Sequence, residues 1–123
     1  MVVDTSIFID FLRKKDKTKT VLYSLPETTT IAISSVTLYE LLMGATDKSK
    51  NKDVKILTED LLILSLDQEV AKKSAEIYHQ LRNENNMIEF RDIFIAASCL
   101  VHNMPLKTLN NKHFERVEGL KIL

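Results

Sequence analysis

The chain alternates between short apolar runs rich in β-branched residues and longer stretches whose apolar positions recur at helical spacing. Met1-Val2-Val3 is the first such run and reads as a strand ending at Asp4. From Thr5 to Lys14, Ile7, Phe8, Phe11 and Leu12 fall on one helix face. Arg13 to Lys19 is a charge run, and Val21 to Leu25 reads as a short helix closed by Pro26. Thr29 to Ser34 predicts a second strand. Ser34 or Ser35 stands ready to cap a helix over Val36 to Ala45, with Gly44 helping to end it. Asp47 to Asp53 is polar and lysine-rich, a loop or the start of a weak helix.

Leu61 to Leu66 reads as a buried strand. Asp67 then caps a clear amphipathic helix, in which Val70, Ala71, Ser74, Ile77, Tyr78 and Leu81 share a face. Asn83 to Asn86 stops it. Arg91 to His102 is apolar nearly all round, which predicts burial on most faces. Pro105 to Thr108 and Leu120 to Leu123 are the last predicted strands. Strands alternating with helices predict an α/β class: a mainly parallel central sheet with helices on both faces. In such sheets ligands bind at the carboxyl ends of the strands.

Composition narrows the function classes. The 123 residues suffice for one domain, with no internal repeat or linker inside them. Only 2 Gly and 2 Pro argue against an all-β fold, which needs many tight turns. A single cysteine, Cys99, excludes an internal disulfide framework and a cysteine-based zinc site. Lys+Arg 17 against Asp+Glu 17 is not the balance of a protein that coats nucleic acid by bulk charge. A local basic patch remains open. The longest apolar stretch, Ile93 to Val101, is far short of the roughly 20 residues of a bilayer span. No basic-then-apolar leader opens the chain, so no membrane association and a cytoplasmic location are expected.

Four oxygen-bearing side chains fall near one edge of the predicted sheet. Asp4 follows the first strand, Glu40 lies in the helix after the second, Asp92 opens the apolar helix, and Asn110 follows the strand ending at Thr108. Oxygen ligands suit Mg²⁺ and Mn²⁺, and a bound ion removes the repulsion among packed carboxylates while polarising a phosphodiester. Asp4 and Asp92 are also placed to act as helix caps. Asn110 alone fits ordinary turn chemistry. Glu40 sits in a largely apolar helix, where a carboxylate needs a metal or a cationic partner such as a buried lysine. Ala96 and Cys99 share the face of Asp92 and are small enough to admit another element or a ligand.

These segments resemble the motifs of PIN-domain ribonucleases, and within them the VapC toxins of VapBC toxin–antitoxin pairs. V-V-D-T-S-I-F-I-D-F-L is similar to the first motif, with Asp4 as its acid. S-S-V-T-L-Y-E-L-L-M-G is similar to the second, with Glu40, and R-D-I-F-I-A-A to the third, with Asp92. L-K-T-L-N-N-K-H-F-E-R-V-E-G-L is similar to the C-terminal motif, with Thr108 and Asn110 at its polar positions. The match runs through the chain in order, which implies a single PIN domain over residues 1–123 with a three-layer fold. Two departures stand out. Asn110 replaces the fourth acid of many PIN domains, and N-N-M-I-E-F-R-D lacks a glycine common near its first Asn.

The resemblance implies a Mg²⁺-dependent endoribonuclease, with Mn²⁺ able to substitute, held silent by a small VapB-like antitoxin. Asp4, Glu40, Asp92 and Asn110 would hold the ion and carry catalysis, while Thr5, Ser6 and Thr108 would fix carboxylate rotamers or simply cap local backbone. The substrate would be single-stranded or loop RNA. Two basic groups are candidates to attract it: Arg13, Lys14, Lys15, Lys17 and Lys19, and Lys48, Lys50, Lys52 and Lys55, either of which is equally explained as a solvated face. His113 reads as a structural residue beside Phe114. The apolar surface of the first helix and of Asp92 to His102 suggests a homodimer. The edges of the Phe8–Phe11–Leu12 and Val36–Tyr39–Met43 helices are the expected antitoxin groove. Competing readings are a housekeeping PIN nuclease of RNA processing or decay, a catalytically inactive PIN-fold binding module, and a response-regulator-like domain. The last fits poorly with an acid on the first strand.

Overall fold

Four short parallel strands organise the fold in a computed structural model that describes residues 1–123. They are β1 (Val2–Val3), β2 (Ala32–Ser34), β3 (Leu62–Leu64) and β4 (Leu106–Lys107), in the spatial order β3-β2-β1-β4. Val2 pairs with Ala32 on one side and Leu106 on the other, and Ala32 pairs with Leu62. Side chains alternate across a strand, so successive residues feed different layers. Val2, Ala32 and Leu106 join one core with α5 (Gln68–Asn83) and α6 (Phe90–Val101). Val3 and Ile33 join another with α1 (Thr5–Arg13), α3 (Ser35–Gly44) and α4 (Lys48–Thr58). The result is the expected three layers, a parallel sheet between two helical faces.

Local chemistry accounts for most element boundaries. Ser34 Oγ accepts the Val36 N–H and starts α3, and Asp67 accepts the Val70 N–H and starts α5. Asn85, at φ 51°, follows α5 in the left-handed conformation that Asn tolerates. The Arg13–Lys19 run is partly structural. Lys17 Nζ donates to the carbonyls of Phe11 and Leu12 and closes α1, before a 3₁₀ turn over Lys17–Lys19 and the short α2 (Val21–Ser24). Lys14 pairs with Asp10 at 3.1 Å.

Several expectations change. Of the two readings of Asp47 to Asp53, the helix start holds and the loop does not. Asp47 accepts the Lys50 N–H, and α4 runs on to Thr58 because Val54 and Thr58 are buried beneath it. Gly44 is the last residue of α3 and does not adopt a left-handed backbone; only Gly119 does among the glycines. The final strand reduces to one parallel bridge, Leu106 to Ile122, because two-residue β4 offers the tail a single partner. The α6 helix starts at Phe90 with Glu89 before it, so Asp92 lies inside its first turn. Most of its apolar circumference is covered by this chain's own α5 and sheet, with Phe90 left exposed at its start, and Ala96 and Cys99 are filled in as core. Burial pushes the Cys99 thiol up to about 12, leaving it unreactive. Past β4, the short α7 (Asn111–Phe114) is pinned by fully buried Phe114, a burial worth roughly 1.5–3 kcal/mol. That anchor holds His113 over α6. No helix is long and apolar enough to cross a membrane.

Candidate active site

The site forms where β1 and β4 end side by side. The Asp4 N–H donates to the Lys107 carbonyl at 2.9 Å, continuing the ladder one step past both strands. Asp4 is thereby the residue at the sheet edge, 2% exposed. Its Oδ2 accepts two hydroxyls, from Ser6 at 2.7 Å and Thr108 at 2.8 Å. Thr108 Oγ1 in turn accepts the Asn110 N–H, and Ser6 Oγ accepts the Leu109 N–H. Asp4 Oδ1 has no hydrogen-bond partner yet keeps contact with solvent. Asp4 caps nothing with its side chain, so the capping explanation fails. It fails for Asp92 too, which is not at the cap position.

Glu40 projects from α3 with 17% of its side chain exposed. Both of its oxygens have donors: Thr5 Oγ1 at 2.9 Å on Oε1 and Arg91 Nη1 at 3.2 Å on Oε2. Thr5 Oγ1 also lies 3.0 Å from Thr37 Oγ1. The partner that an apolar helix demanded for this carboxylate is therefore an arginine from α6, not a lysine.

Asp92 faces the same cleft. Burial raises its carboxyl most, and the charges of Asp4, Glu89 and Glu40 add to that, while His113 opposes them; the result is about 6. His113 Nδ1 stands 3.6 Å from Asp92 Oδ2, an ion-pair distance beyond a good hydrogen bond. His113 thus belongs to the rim of the acidic cleft, contrary to a purely structural role. The Asn110 side chain is exposed and makes no hydrogen bond; only its backbone is engaged, at the start of α7. No three of the His, Cys, Asp and Glu side chains close into a metal cage. The donor set is nonetheless all oxygen, with Asp4 Oδ1 free of hydrogen bonds and Asp92 approached only by His113. It fits a hard divalent ion of high water content better than a closed structural site.

Beside the acids, a cavity of about 310 Å³ opens between α1, α3 and α4. Ile9, Leu12 and Leu41 form apolar wall, Glu40 connects it to the cleft, and Arg13 and Lys50 bring one cation from each basic run. Phe8 is buried, so it does not take part in any groove, whereas Tyr39 and Met43 are 60% and 55% exposed on α3.

The PIN domain family matches residues 1–120. The chain belongs to that family. Ribonuclease VapC1 of Methanocaldococcus jannaschii is 34% identical over 124 residues, covering 99% of this chain and 85% of the relative. Ribonuclease VapC of Rickettsia bellii is 33% identical over 130 residues, covering 100% and 94%. The VapBC2 structure from Rickettsia felis, bound to a DNA fragment from its promoter, superposes with a TM-score of 0.84 at 28% identity, covering 99% and 96%. VapBC-1 of Haemophilus influenzae shares the fold, with a TM-score of 0.84 at 24% identity, covering 99% and 95%.

In this VapC-type chain, the first, second and third motifs bring Asp4, Glu40 and Asp92 to one cleft, and Thr5, Ser6 and Thr108 make hydrogen bonds to two of those acids. The C-terminal motif places the Asn110 backbone there and leaves its side chain uncommitted. Sequence reasoning missed Arg91 and did not foresee that His113 faces Asp92. Arg91 stands directly before the third acid, and a cation beside an acid in a mixed-charge motif was a usable signal. Nothing local in N-N-K-H-F points His113 toward Asp92; the burial of Phe114 does that.

Proposed function

We propose that this chain is the toxin of a type II toxin–antitoxin pair, a Mg²⁺-dependent endoribonuclease held silent by a small antitoxin. The observation that carries it is the meeting of Asp4, Glu40 and Asp92, from the end of β1, α3 and α6: Thr5, next to Asp4, and Arg91, next to Asp92, both bond Glu40. PIN-domain ribonucleases are generally metal-dependent, and Mg²⁺ or Mn²⁺ is the ion an all-oxygen set favours. Asp4 and Asp92 would hold it, with Glu40 and Asn110 completing the site. When bound, the ion neutralises the packed carboxylates and polarises a phosphodiester toward attack by water.

The protein's own groups do the positioning. Ser6 and Thr108 fix one Asp4 oxygen, which leaves the other free of hydrogen bonds. Thr5 fixes Glu40. Arg13 and Lys50, at the cavity that reaches Glu40, offset the cleft's repulsion for RNA phosphates. The antitoxin would use the same entrance. An arginine on it would find carboxylates suited to bidentate, charge-assisted hydrogen bonds, and an amphipathic helix would find Ile9, Leu12 and Leu41. Exposed Tyr39, Leu42 and Met43 on α3 and Phe90 on α6 are the apolar surface on which we base a homodimer.

RNA cleavage by the purified protein tests this reading. Activity should require Mg²⁺ or Mn²⁺, vanish in EDTA, and vanish in Asp4→Asn and Asp92→Asn proteins that remain folded. Full activity in chelator would refute it. Co-expression with a neighbouring small gene should yield a complex without ribonuclease activity, whose inhibition weakens at high Mg²⁺.

A further inference from the structure

Arg91 links the two walls of the cleft. Its Nη1 donates to Glu40 Oε2 on α3 at 3.2 Å, and its Nη2 donates to Glu89 Oε2 at 3.1 Å. A planar guanidinium bonded through two different nitrogens to two carboxylates is held in one orientation, unlike a free lysine. The Arg91 side chain is 37% exposed and that of Glu40 only 17%, so solvent screens the pair incompletely. The charges that raise neighbouring Asp92 are the acids Asp4, Glu89 and Glu40, and His113 Nδ1 lies 3.6 Å from Asp92 Oδ2. Of the cations here, Arg91 is the one bonded to Glu40. Since Thr5 occupies Oε1 and Arg91 occupies Oε2, neither Glu40 oxygen is without a donor.

We propose that Arg91 is the positioning residue of the cleft. It holds Glu40 in place as a resident cation and thereby sets how tightly the cleft takes a divalent ion. This rests on the metal-site reading above. A divalent ion and the guanidinium draw on the same negative charge, so each weakens the hold of the other on Glu40. The arginine offsets the charge of Glu40 before an ion arrives, at the cost of affinity for that ion.

The test is calorimetric titration of MnCl₂ into the intact protein without RNA, with thermal melts to check folding. Arg91→Gln removes the charge and should bind Mn²⁺ about tenfold more tightly, as expected for deleting a unit positive charge bonded to Glu40, one of the carboxylates that would hold the ion, in a partly screened site. Arg91→Lys keeps the charge and should stay near the wild-type affinity. In a Glu40→Gln background the effect of Arg91→Gln should shrink to about threefold or less, because the shared carboxylate charge is gone. If Arg91→Gln does not fold, Arg91→Met, which keeps the aliphatic stem, takes its place. Unchanged or weaker Mn²⁺ binding in the charge-removing variant overturns the proposal and leaves the nuclease reading intact. So does an equal tenfold gain in the Glu40→Gln background, which would make Arg91 a remote charge. Melting temperatures that fall alike in both Arg91 variants, with no change in affinity, would reduce Arg91 to a structural tie. A wild-type protein that neither binds Mn²⁺ nor is stabilised by it overturns the metal site itself, and this proposal with it.

Discussion

Replacing Asp92 by Asn should stabilise the protein while abolishing activity. The Asp92 carboxyl titrates at about 6 instead of 3.8, chiefly through burial and the nearby Asp4, with Glu89 and Glu40 adding and His113 opposing. A displacement of that size corresponds to about 3 kcal/mol, which solvent in the open cleft reduces to roughly 1–2 kcal/mol. The sign follows from proton binding. The folded state takes up this proton more readily than the unfolded chain, so the wild-type protein loses stability as pH rises from about 4 to about 6. Above that range the penalty is fully present. Asn carries no charge and avoids it. Thermal unfolding in chelator at pH 8 should show the Asp92→Asn protein melting higher by about 4–8 °C. The gap should narrow toward pH 4, where wild-type Asp92 is protonated. Mg²⁺ at pH 8 should raise the wild-type melting temperature and narrow the gap from the other side. An Asn variant that melts at or below wild type at pH 8, or a gap equal at pH 4 and pH 8, would refute the reasoning.

Thr108→Val removes a hydroxyl that donates to Asp4 and accepts from the Asn110 N–H; stability should fall by about 1–2 kcal/mol, and cleavage should drop more than tenfold as Asp4 loses its fixed rotamer. Denaturant unfolding and single-turnover cleavage would check the two effects. Lys17→Ala should cost about 1 kcal/mol by opening the end of α1, without altering RNA affinity, because its ammonium serves the Phe11 and Leu12 carbonyls. Arg13→Ala combined with Lys50→Ala should instead weaken RNA binding to an inactive Asp4→Asn protein and lower the salt slope by about 1–2, read from binding isotherms at several ionic strengths. His113→Ala removes the group that opposes the upward displacement of Asp92, so the pH midpoint of wild-type destabilisation should move higher in thermal melts.

The sequence by itself determined the class of fold and the acids. Apolar runs of β-branched residues at Val2-Val3 and Ala32-Ile33 can only be buried between two layers, so alternation of strand and helix dictates a parallel sheet covered on both faces. Asp4, Glu40 and Asp92 were legible as candidates because charged groups that interrupt apolar segments, at a strand end or within apolar helices, need a reason beyond packing. At Asp47 to Asp53 the polar sequence left a loop and the start of a weak helix open, since α4 is polar along most of its length and owes its eleven residues to burying Val54 and Thr58. The terminal Leu120–Leu123 run has strand character but finds only one partner in two-residue β4. What tertiary structure alone decided is which charges meet. Arg91 reaches Glu40 across 51 residues of chain, Thr108 reaches Asp4 across 104, and His113 reaches Asp92 because Phe114 is buried beneath α7. Such pairings depend on how two elements pack, and a side chain's own neighbours in sequence carry no record of that.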